Sequence, residues 1–124
     1  MEHKEETQKV CDQALEILGV EKIRFRPMNR KARINPNRGC LFGRTNLKTG
    51  LITIDIFTPL KREPKKISSI LRTLCHEVAH HQRPPFRQLH RGRIISRQHY
   101  PKFYKQVTKN IEIIKKDSSL GECF

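Results

Sequence analysis

The sequence predicts an α+β domain, in which a small antiparallel sheet is flanked by three helices, one of them carrying the candidate site. Two observations point to that class. The 124 residues suit one domain spanning 1–124. The elements run helix, strands, helix, helix, without the alternating βα units that build a doubly wound parallel sheet.

Thr7 to Leu18 reads as an amphipathic helix, with Val10, Cys11, Ala14, Leu15 and Leu18 at i, i+3 and i+4 spacing. Gly19 is a natural stop after it. Ile23, Phe25 and Pro27 alternate with Lys22, Arg24 and Arg26, the pattern of a half-buried strand. Asn29 to Arg38 is basic and turn-rich and reads as a loop. Cys40-Leu41-Phe42 is a candidate short strand, and Asn46 to Gly50 a turn. Leu51 to Phe57, rich in β-branched residues, is the clearest strand in the chain and ends at Pro59.

Pro64 suits the first turn of a helix running to about Gln82, whose apolar stripe is Ile67, Ile70, Leu71, Leu74 and Val78. Pro84-Pro85 stops it. Phe86 to His99 shows no clear period and is expected as a loop or a short irregular helix. A last helix starts at Pro101, with Phe103, Val107, Ile111 and Ile114 inward. Residues 117–124 are expected as a flexible tail.

Apolar residues are 35% of the chain and Trp is absent, so the core must be lean and a bound metal would help to hold it. The formal net charge is +14 and the charge is clustered. From Lys22 to Ile54 there are nine Lys or Arg and no acid; from Val78 to Ile111 there are eight, again with no acid. Such stretches favour a polyanionic partner, and nucleic acid is the expected one. Cys11, Cys40, Cys75 and Cys123 form no C-x-x-C pair, so they suggest neither a zinc ribbon nor a disulfide framework. The start of the chain has no apolar signal region and no run approaches the length of a membrane span. The expectation is an intracellular monomer with reduced thiols, cytoplasmic, or in the nucleoid or nucleus if it is associated with DNA.

His76-Glu77-Val78-Ala79-His80 carries the chemistry. On a helix, imidazoles at i and i+4 stand one above the other and can grip one metal ion. Glu77 lies roughly 100° round the helix from His76, within reach of a water on that metal. The apolar stripe centres near Leu74 and Val78, so His76, Glu77 and His80, with Ser69 and Thr73, fall on the other face. One face can then pack while the other lines a cleft. A catalytic zinc needs a third protein ligand and an open fourth position. His99 is the leading candidate, because a helix with Pro101 in its first turn follows it directly. His90, across the double proline, and Glu112, on the last helix, stand as alternatives. His81 points about 100° away from His80. Cys75 reads as a small buried apolar residue.

The stretch from Thr73 to Gln106 resembles the SprT-like and YgjP-like families of minimal zinc metallopeptidases. The resemblance rests on H-E-x-x-H and on His99-Tyr100-Pro101-Lys102-Phe103-Tyr104, similar to the families' third-ligand segment. Arg38-Gly39-Cys40 is similar to their Gly-Ser-Cys turn after a basic stretch. The strand Leu51 to Ile56 sits where they have an edge strand. Tyr100 departs from the Gly that often follows the third His in SprT-like members. The resemblance implies a zincin-like peptidase fold, one Zn²⁺ on His76, His80 and His99, and Glu77 as the base. It also implies protein substrates, some of them held on DNA. Tyr100 and Tyr104 are candidate oxyanion or substrate contacts. Arg83, Arg87, Arg91, Arg93 and Arg97, between the active helix and the third ligand, are candidate nucleic-acid contacts. Competing expectations are a zinc-dependent nuclease and a nucleic-acid-binding module without activity.

Overall fold

The computed structural model describes residues 2–28 and 43–124. The basic loop 29–38, the Arg38-Gly39-Cys40 turn and the candidate strand at 40–42 lie outside them. Helix α1 spans His3–Leu18 and starts four residues earlier than the periodicity suggests. His3 extends it, because its Nε2 donates 2.9 Å to the Ile56 carbonyl and its ring meets Phe57 edge-on. Thr7, Cys11, Ala14 and Leu15 form its buried face. Gly19, at φ 71°, closes it in the left-handed conformation that spares glycine a Cβ clash.

Three strands form the sheet: β1 (Arg24–Pro27), β2 (Gly43–Thr45) and β3 (Leu51–Ile54), in spatial order β1-β3-β2. The pair β2/β3 is antiparallel, as expected, with Arg44 opposite Thr53. The pair β1/β3 is parallel, with Phe25 opposite Ile52, so the sheet is mixed rather than antiparallel. The strand expected at the edge, β3, is central, and β2 takes the edge. The turn into β3 is fastened by the Asn46 side chain, which accepts the Lys48 and Thr49 N–H groups. Gly50 (φ 79°) ends that turn, where a Cβ would stand 2.3 Å from the Lys22 carbonyl oxygen.

Phe25, Ile52, Ile54 and Ile56 point into one core with Cys11, Ala14, Leu15, Ile70, Leu71, Leu74, Val78 and Ile114. Helix α2 spans Ile67–Gln82 and buries the expected stripe. It begins three residues after Pro64, which instead bridges to Phe57 in an extended segment. That segment is held by the buried Asp55, whose carboxylate takes two hydrogen bonds from Arg62, at 2.8 and 3.1 Å, and one from the Phe57 N–H. Burial alone would raise the Asp55 pKa; these partners more than offset it, and the carboxyl titrates below its usual range.

Residues 86–97 are not a loop or an irregular helix. They form a hairpin, β4 (Phe86–His90) and β5 (Arg93–Arg97), turning through Arg91-Gly92. Both turn residues have positive φ, 50° and 79°, the condition of a two-residue turn that matches strand twist. Helix α3 spans Pro101–Lys115 and buries Phe103, Asn110 and Ile114. Residues 117–124 are packed rather than a free tail: Leu120 is buried in the core and Cys123 and Phe124 lie against it. No helix among the described residues is long and apolar enough to cross a membrane.

Candidate metal centre

The i, i+4 spacing on α2 stacks the His76 and His80 rings with centroids 5.0 Å apart. The start of α3 delivers the third imidazole. Pro101 fixes the first helical position, and His99, two residues before it, is turned back onto α2. Its ring lies 5.2 Å from His76 and 4.9 Å from His80. One nitrogen from each of the three histidines falls within 4.8 Å of the other two, the only such metal-capable cluster among the described residues.

Phe103 forms the floor. It is fully buried and stands 5.0, 4.5 and 5.1 Å from the His76, His80 and His99 rings. The sequence pattern reads Phe103 only as core; three ring contacts give it a second role, fixing imidazole rotamers. Burial, then the neighbouring His99, lowers the pKa of His76. Burial, then His76, His99 and His81, lowers that of His80 to about 4. Neutral imidazoles are the form that binds a metal, so the three nitrogens could hold one ion.

Glu77 is on the same helix and 7% exposed. Burial raises its carboxyl to about 7. Strand β2 covers it: a Cβ built at Gly43 would stand 3.1 Å from Glu77 Oε1 and 3.0 Å from Thr73 Cγ2. Glycine therefore lets the sheet edge reach the carboxylate. One turn of strand periodicity later, Thr45 Oγ1 hydrogen-bonds His81 Nε2. That contact turns His81 to the sheet and away from the cluster.

The alternative third ligands fall elsewhere. His90 is exposed beside the hairpin turn, and Glu112 is exposed on α3; neither joins the cluster. Tyr100 donates its hydroxyl 2.9 Å to the Pro84 carbonyl, and its ring meets Phe86 at 4.9 Å. It fastens the hairpin base. Tyr104 is exposed and its ring stacks beside His99 at 6.2 Å, bordering the site. Arg83 caps the end of α2, and Arg87, Arg91, Arg93 and Arg97 lie on the hairpin. Cys75 is buried, which raises its thiol to about 12, and is inert as a nucleophile.

Asn110 is the residue that sequence reasoning misses. It is fully buried on α3, and its Nδ2 donates to the Cys75 carbonyl (3.2 Å) and to Gln82 Oε1 (2.7 Å). Gln106 Nε2 donates to its Oδ1 at 3.1 Å. Its one legible signal is position: it follows Phe103 by seven residues, two turns along the same face. Comparison of the chain with protein-family models, with curated proteins and with solved structures gives no match.

Proposed function

We propose that this chain is a zinc-dependent peptidase with a zincin-like site, acting on protein substrates, including proteins held on nucleic acid. The observation that carries the reading is the convergence of His76, His80 and His99 around one point, with a buried carboxylate one residue from the first of them. The resemblance to SprT-like and YgjP-like peptidases supports it from the sequence side. A zinc ion held by the three imidazoles supplies an acidified water and a Lewis acid for the scissile carbonyl.

The residues of the chain do the rest. Glu77 takes a proton from the attacking water and delivers it to the leaving amine. Its pocket against Gly43 keeps bulk water from competing for that proton. Phe103 and the start of α3 hold the imidazoles so that one side of the cluster stays open to substrate. Strand β2, with its outer edge unpaired among the described residues, can take an extended peptide by strand addition. Tyr104 borders the site where a substrate side chain would lie.

The test is metal content beside hydrolysis. Purified protein is expected to hold one zinc per chain and to digest casein. His99→Ala should lose the zinc and His90→Ala should keep it. The reverse pattern would move the third ligand to the hairpin. One observation favours a second reading: the arginine-bearing hairpin grows directly from the active helix, and the same acidified water could cleave a phosphodiester. A nuclease assay on the same preparation decides between them, since only a peptidase releases casein fragments.

A further inference from the structure

The hairpin β4–β5 is the part of the molecule that the proposed chemistry does not use. Its strands pair with each other, and its base is tied by Tyr100 to Pro84 and Phe86. Neither strand joins the hydrophobic core. Strand alternation gives it two faces. One presents Arg87, Leu89, Ile94 and Ser96; the other presents Phe86, packed against Tyr100 at the base, with Gln88, His90, Arg93, Ile95 and Arg97. Leu89 and Ile94 are directly opposite each other, and each is 72% exposed. Their Cβ atoms are therefore about 5 Å apart and form one aliphatic knob in water. Arg87 lies beside the knob, Arg91 holds the apex, and Arg93 occupies the reverse face. Every cation from Val78 to Tyr100 is Arg rather than Lys, the side chain whose planar fork fits phosphate.

We infer that β4–β5 is an arm that enters the minor groove of duplex DNA, placing arginines on the flanking phosphates and wedging Leu89 and Ile94 between base pairs. Three features select this partner. Cations on both faces and at the apex suit a groove that surrounds the ribbon, whereas a flat anionic membrane meets one side. The knob is aliphatic: it offers no donors or acceptors for reading base edges, and no aromatic ring for stacking single-stranded bases. Aliphatic side chains on a basic element are what minor-groove proteins insert to unstack a base step and kink the duplex. The inference rests on the nucleic-acid part of the proposed function and not on the peptidase part.

The experiment uses the full chain and a duplex DNA of about 30 base pairs, the length over which a local bend is readable, labelled at both ends. Anisotropy reads affinity against salt, and energy transfer reads the end-to-end distance. The wild type is expected to bind and to shorten that distance. Leu89→Thr with Ile94→Thr, both at exposed strand positions that keep β propensity, should unfold at the wild-type midpoint. It should bind about tenfold more weakly with an unchanged salt slope, and leave the duplex straight. Arg87→Gln with Arg93→Gln should lower the salt slope by about two. Binding without bending, or bending that survives the Leu89/Ile94 change, overturns the wedge alone. Tighter binding to single-stranded DNA, to duplex RNA or to vesicles of anionic lipid overturns the partner. No affinity for any nucleic acid at low salt overturns both the arm and the nucleic-acid part of the proposed function, while zinc content and casein digestion still judge the peptidase.

Discussion

At the scale of single residues, the candidate chemistry turns on Glu77 and on what touches it. Its carboxylate is buried against the sheet edge, which raises its pKa to about 7, near the pH at which a base must both accept and release a proton. Glu77→Gln keeps the size and loses the proton acceptor. On the proposed reading it retains zinc and fold, and hydrolysis falls at least about a hundredfold. Turnover within about tenfold of wild type would remove Glu77 from that role. Gly43→Ala gives a graded version. The added Cβ must push Glu77 Oε1 and Thr73 Cγ2 from 3.1 and 3.0 Å, so the carboxylate moves by a few tenths of an ångström while the three imidazoles stay put. The expected result is full zinc occupancy with kcat/KM reduced roughly tenfold, because misplacing a catalytic group costs rate before it costs binding. Zinc content and a fluorogenic casein assay on the same samples check both variants.

At the scale of elements, the site depends on the register of α3 against α2. His76 and His80 ride on α2, His99 on the lead into α3, and Asn110 joins the two helices. It grips Cys75, one residue before His76, and Gln82, two residues after His80. Asn110→Leu keeps the volume close and removes the clamp, but leaves Gln82 to find other partners near solvent. The expected outcome is a cooperatively folding protein whose zinc affinity drops about tenfold, with the visible spectrum of its cobalt-substituted form altered. An unchanged cobalt spectrum and affinity would make Asn110 a packing residue only. The same scale shows what the sequence reveals and what it hides. Helices α1, α2 and α3, strand β3 and the His76/Glu77/His80 face are legible because each has a one-sided apolar period. The β4–β5 hairpin is not, since Arg87, Gln88, His90, Arg93, Ser96 and Arg97 put polar groups on both faces and Arg91-Gly92 is not an Asn-Gly turn. Leu120, Cys123 and Phe124 fall in a stretch of eight residues that is too short to show a period, so their packing leaves no pattern. The parallel pairing of β1 with β3 depends on a partner more than twenty residues away, beyond the reach of any local signal.

At the scale of the whole molecule, two regions are held by different forces. Helix α1, the sheet, α2, the end of α3 and Leu120 share one apolar core. The hairpin and the first turns of α3 stand outside it. Phe103 is fully buried outside that cluster, and its aromatic neighbours are the three histidines and the two nearby tyrosines, so the anchor of this corner lies at the histidine cluster rather than in the main core. On the proposed reading zinc supplies that anchor by tying His99 to α2. Binding only the folded state stabilises it by RT ln(1 + [L]/Kd), about 2.7 kcal/mol at a hundredfold excess over Kd. For a domain of this size that corresponds to a fall in Tm of roughly 10 °C when a chelator removes the metal. The loss should also be local. Amide exchange in the chelated protein should speed up from Phe86 to Tyr104, while β3 and the middle of α2 keep their protection, since their core does not involve the metal. Uniform loss of protection would mean that the ion holds the whole fold together. An unchanged Tm and exchange pattern would mean that the three histidines hold no ion in solution.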